Sequence, residues 1–105
     1  MFKGITPTFT LTLPNTVDLS SAQNVYATFS DRDEKPIIRK TGADLSVDEN
    51  VVEIYLTQEE TLSLPAGTVL IQLNWTYDES GVTKRACSEI ISVQFANNLE
   101  NEVLA

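Results

Sequence analysis

The sequence predicts an all-β domain, a sandwich or a barrel, on three observations. Apolar and polar residues alternate at period two through most of the chain. Turn-forming residues cut that pattern into six or seven short strands. Nothing in the 105 residues alternates strand with long helix, and no repeat or low-complexity segment breaks the pattern.

The first strand spans Pro7 to Leu13, with Phe9, Leu11 and Leu13 on one face and Thr8, Thr10 and Thr12 on the other. Val25, Ala27 and Phe29 alternate with Tyr26 and Thr28 in the second. Lys35 to Lys40 is shorter and contains Pro36. Proline cannot donate to a central ladder, so this segment is expected at a sheet edge, with Pro36 at or near its start. Val52, Ile54 and Leu56 give a fourth strand. Gly67 to Tyr77 is the strongest: Val69, Ile71, Leu73, Trp75 and Tyr77 share one face, which marks the centre of a sheet and places Trp75 in the core.

Asp78 to Gly81 supplies a turn, and a final strand runs from about Val82 to Phe95. Glu89 falls on the parity of Ile91, Val93 and Phe95, so a bulge is expected near Glu89 and Ile90. Cys87, the only cysteine, is expected to pack as a small buried hydrophobe. One segment departs from strand chemistry. Thr57 and Glu60 form a T-x-x-E capping box, and Pro65 and Gly67 stop the helix after one or two turns. This helical turn, near residues 57–63, should connect strands of different sheets. Residues 1–95 are read as one domain and residues 96–105 as an acidic tail or docking arm.

Charge and residue usage exclude much chemistry. There are 15 acids, 7 bases and no histidine, a net charge of −8. Eight of the acids and no base lie between Thr41 and Thr83, so the remainder of the chain is neutral. A nucleic-acid partner is not expected, because no basic stripe is present to neutralise phosphates. The missing histidine removes the usual general base and the Ser–His and Cys–His nucleophile pairs. The four glycines are isolated, so there is no phosphate-cradling loop. Asp31 to Glu34 and Asp48 to Asn50 are oxygen-rich, but neither matches a calcium loop, and turn chemistry accounts for both. No apolar run approaches the ~18 residues of a spanning helix, and the first twenty residues lack the apolar block of a signal peptide. No enzyme activity, cofactor, metal or membrane association is expected, and the single cysteine fits synthesis in a reducing cytoplasm.

Several segments together resemble small structural proteins of tailed phages and prophages. They are the N-terminal run Met1 to Leu11 (MFKGITPTFTL), Leu56 to Thr61 (LTQEET), the Val69 to Trp75 strand, the closing Ile90 to Val93 strand and the acidic tail Leu99 to Leu104. The pattern is also similar to the immunoglobulin-like N-terminal domain of siphophage upper-baseplate proteins. The resemblance implies an immunoglobulin-like antiparallel β-sandwich of six to seven strands. It also implies a non-enzymatic, multi-copy virion protein, made in the bacterial host cytoplasm, that binds other phage structural proteins in the baseplate, tail or head. It implies no catalytic residue.

On that reading, partner contacts fall at the edge strand and the tail: Pro36, Leu99, Glu100, Val103 and Leu104. The alternative is a glycan- or receptor-binding adhesin domain on the same fold. Its contacts would be Tyr26 and Tyr55, the two tyrosines on outward-facing parities.

Overall fold

A computed structural model describes all residues from Met1 to Ala105. Eight strands follow one another as β1 (Thr8–Thr12), β2 (Asn24–Ser30), β3 (Pro36–Thr41), β4 (Leu45–Asp48), β5 (Val51–Tyr55), β6 (Gly67–Glu79), β7 (Val82–Cys87) and β8 (Ile91–Phe95). One α-helix, α1 (Gln58–Ser63), separates β5 from β6, and short 3-10 turns at Leu19–Ser21 and Gly42–Asp44 precede β2 and β4. All pairing between these strands is antiparallel, in two sheets. One has the order β1-β5-β4; the other has the order β3-β2-β6-β7, with β8 also paired to β6. The protein is an all-β sandwich.

Alternation sets the core. Val25, Ala27 and Phe29 of β2 and Val69, Ile71, Leu73 and Trp75 of β6 turn inward from the larger sheet. Leu11 of β1 and Val52 and Ile54 of β5 meet them from the smaller. The Phe9 and Phe29 rings, one from each sheet, lie 5.8 Å apart in a tilted pair. Fully buried side chains such as Phe29, Ile54 and Leu73 each contribute about 1.5–3 kcal/mol through removal from water.

β6 is central, paired on one side to β2 and on the other to β7 and β8 in succession. Pro36 opens β3, an edge strand, where its missing N–H breaks no central ladder. The capping box is present in full: Thr57 Oγ1 accepts from the Glu60 N–H, and the Glu60 carboxylate accepts from the Thr57 N–H. α1 carries the chain from the smaller sheet to the larger.

Two features differ from the expectation. β4 is an additional strand, forming a tight hairpin with β5. The final strand is two strands, because a bulge at Ser88–Ile90 interrupts it. Trp75 stands opposite Ala86 and Ile71 opposite Ile91, so four steps along β6 face five along its partner. The extra residue inverts the parity of β7. Ala86 therefore packs against the core and Cys87 is exposed, which corrects its expected burial. Ser88 bridges the irregularity: its N–H donates to the Leu73 carbonyl, and its Oγ accepts from the Leu73 N–H, both at 2.9 Å.

Candidate functional site

The two terminal segments and α1 form one surface, and its hub is Thr61. This side chain is wholly buried; it accepts from the Gly4 N–H at 3.0 Å and donates to the Ile5 carbonyl at 2.7 Å. Gly4 has φ +85°, and a Cβ there would meet Leu62 Cδ2 at 3.3 Å, so the close approach and the backbone both favour glycine. The N-terminal segment in turn holds the C-terminal one. Ala96 donates to the Met1 carbonyl and accepts from the Lys3 N–H, at 2.7 and 2.9 Å. Asn98 Nδ2 donates to the Lys3 carbonyl.

Farther along the tail, the Gln58 side-chain amide pairs with the Leu104 backbone. Gln58 Nε2 donates to the Leu104 carbonyl at 3.0 Å, and the Leu104 N–H donates to Gln58 Oε1 at 2.8 Å. The tail thus returns to the first turn of α1. Its apolar side chains stay in solvent: Leu99 is wholly exposed, Val103 and Leu104 more than half. Met1, Phe2 and Ile5 on the adjoining segment are also exposed. Glu59 of α1 and Glu100 and Glu102 of the tail are exposed as well, with Lys3 the one base of these segments.

Leu99, Glu100, Val103 and Leu104 therefore belong to one surface. Pro36 does not; it lines a separate hollow with Glu34, Leu70 and Ile90. Tyr26 and Tyr55 are not brought together either. Tyr26 is half-buried on the outer face of the larger sheet, and Tyr55 is exposed on the outer face of the smaller.

The acidic middle of the chain does not become one face. Asp44, Asp48, Glu49 and Glu53 lie on or beside the smaller sheet, Glu59 and Glu60 on α1, and Asp78 and Glu79 at the far end of β6. The three strands of the smaller sheet carry no base, whereas β3 and β7 of the larger carry Arg39, Lys40, Lys84 and Arg85. In the β2–β3 turn, the Asp31 carboxylate accepts from the Asp33 and Lys35 N–H groups, the Asx chemistry expected there.

Two carboxyls are displaced from their ordinary range. Burial raises that of Glu60, but hydrogen bonds from Lys40 and Thr57 and the Lys40 charge outweigh it, and the net shift is downward. The Ser20 hydroxyl and N–H hold the exposed Asp18 carboxyl low, as suits the N-cap of the Leu19–Ser21 3-10 turn.

The long-range partners Gln58, Thr61 and Asn98 escaped sequence reasoning. Threonine on a helix that must be amphipathic at Thr61 was the one available signal. Comparison with protein-family models, curated proteins and solved structures gave no match.

Proposed function

We propose that this chain is a non-enzymatic structural or accessory protein of a tailed-phage particle, present in many copies and docked to other virion proteins. The observation that carries this reading is the surface made by the terminal segments and α1. The segments held together there carry six exposed apolar side chains (Met1, Phe2, Ile5, Leu99, Val103 and Leu104) and the exposed Glu59, Glu100 and Glu102. Clustered exposed apolar side chains are a common mark of protein–protein contact. The acids select a partner surface that is apolar with a basic rim.

The resemblance to phage structural proteins supports the virion setting, and the absence of histidine from the sequence removes the commonest acid–base machinery. The adhesin alternative draws on Tyr26 and Tyr55, which lie on the outer faces of different sheets and so do not form one joint site.

The test is incorporation. Purified particles analysed by mass spectrometry should contain the chain, and a variant lacking Asn97–Ala105 should be lost from them while its circular dichroism shows a folded sandwich. Absence of the intact chain from particles, or normal copy number of the folded truncation, would overturn the reading.

A further inference from the structure

We infer that the outer face of the larger sheet carries a binding site for an acidic saccharide, built from Tyr26, Arg39, Asn74 and Arg85. The site lies apart from the terminal surface, and its occupation does not depend on the docking proposed for that surface.

Strand order creates it. Tyr26 of β2 stands directly opposite Asn74 of β6, a spacing of about 5 Å between Cβ atoms. Arg39 of β3 is opposite Thr28, one row to one side, and Arg85 of β7 is opposite Thr76, one row to the other. Both arginines lean back to the middle row. The Arg39 guanidinium sits over the Tyr26 ring, 5.4 Å from its centroid. Arg85 donates through Nε and Nη2 to Asn74 Oδ1, at 3.1 and 3.0 Å. Two cations from opposite edges of the sheet thus converge on one cross-strand pair.

Neither cation is neutralised. The two ion pairs of the protein are Lys40–Glu60 and Lys84–Glu79, so Arg39 and Arg85 have no carboxylate within 4.0 Å in a chain of net charge −8. Asp78 lies on the same face of β6, two residues beyond Thr76, yet Arg85 turns from it toward Asn74. A hollow of about 340 Å³ lies over these residues, and none of its seven lining residues is acidic. That volume is at the lower end of small-molecule sites, about 300–1,000 Å³. Glu34 borders the adjoining hollow, which shares Thr28, Asn74 and Arg85.

The side chains choose the ligand class. Guanidinium groups match carboxylate or phosphate oxygens. Between the two cations stand the hydroxyls of Thr28, Thr76 and Tyr26 and the Asn74 amide, neutral groups that pair with sugar hydroxyls. A bare anion would leave that row unused. A long polyanion would run from the two arginines toward Glu34 and Asp78 at the borders of the face.

The probes are a glucuronate-containing tetrasaccharide, a phosphorylated maltotetraose, neutral maltotetraose, inorganic phosphate and a thymidine oligonucleotide, titrated calorimetrically into the full chain. At least one acidic sugar should bind, and binding should weaken as salt rises. Each of Arg39→Gln and Arg85→Gln should weaken it about tenfold, the loss of one charge-assisted contact. Glu53→Gln, exposed on the smaller sheet and outside both surfaces, should leave it unchanged. Which sugar binds separates a carboxylate from a phosphate ligand. The inference fails if neither acidic sugar binds or if the neutral sugar binds as well. It fails equally if phosphate or the oligonucleotide matches the acidic sugars, or if the folded arginine variants bind normally.

Discussion

Lys40 and Glu60, twenty residues apart, form a two-pronged ion pair, with Lys40 Nζ at 2.7 and 2.9 Å from the two carboxylate oxygens. Lys40 occupies an inward-facing position of β3 opposite the fully buried Ala27, and its ammonium reaches the helix that joins the sheets. Glu60 also caps that helix. Replacing Lys40 with methionine keeps the length and apolar stem but removes the charge. The expected loss is about 1.5–3 kcal/mol, the range for hydrogen bonds to charged groups, read from urea unfolding. An unchanged midpoint would show that the pair contributes nothing net.

The same pair sets a pH dependence. Glu60 titrates below its ordinary value of 4.5 in the folded protein, so the unfolded chain binds its proton more readily. Its contribution is therefore complete above that ordinary value and is lost as pH falls through the folded-state value. Between pH 6 and 3 the wild-type urea midpoint should fall more steeply than that of Glu60→Gln. Parallel curves would refute the assignment.

Ser88→Ala should cost about 1–3 kcal/mol, the penalty for leaving a buried donor without a partner. The donor is the N–H of Leu73, a fully buried residue, whose acceptor across the bulge is Ser88 Oγ. Faster amide exchange at Leu73 in the variant would locate the effect. Wild-type protection there would mean that another acceptor replaces the hydroxyl.

The β6–β7 hairpin turns through Ser80 and Gly81, with φ +54° and +81°. Two positive φ values in a two-residue loop call for Asn-Gly. Ser80→Asn should raise stability by several tenths of a kcal/mol, seen as a rise of a few degrees in Tm. A fall in Tm would place the stabilising contacts of this turn elsewhere.

Cys87 is exposed beside the β-bulge, opposite Asn74. A thiol reagent should modify it in native buffer at a rate near that in urea. Reaction only on unfolding would mean a buried thiol.

Elements with long alternation or a local motif were legible in the sequence. Five inward-facing side chains declared β6, and the Thr57–Glu60 spacing declared α1 and its cap. β4 was not legible, because Leu45 and Val47 give only two apolar positions between turns. The bulge was visible in the parity of Glu89, yet its consequence for Cys87 follows only when every residue before it is shifted to the opposite face. Tyr26 read as outward-facing from alternation alone. Its companions did not, because Arg39, Asn74 and Arg85 become neighbours only through the strand order β3-β2-β6-β7. Likewise Gln58 and Leu104 meet across 46 residues, a separation no local pattern encodes.

The position of β6 also governs the order of events in folding. This strand pairs with β2, 40 to 52 residues before it in the chain, and with β7 and β8 after it, and β1 must find β5 across 39 to 47 residues. The β2–β6 and β1–β5 pairings are long-range, so refolding should take milliseconds to seconds rather than microseconds, about the range for all-β domains of similar size. A nascent chain released only as far as β6 would display one flank of its longest apolar strand with no ladder to cover it. The larger sheet closes only once Phe95 has emerged from the ribosome, and until then that bare flank invites pairing with other chains.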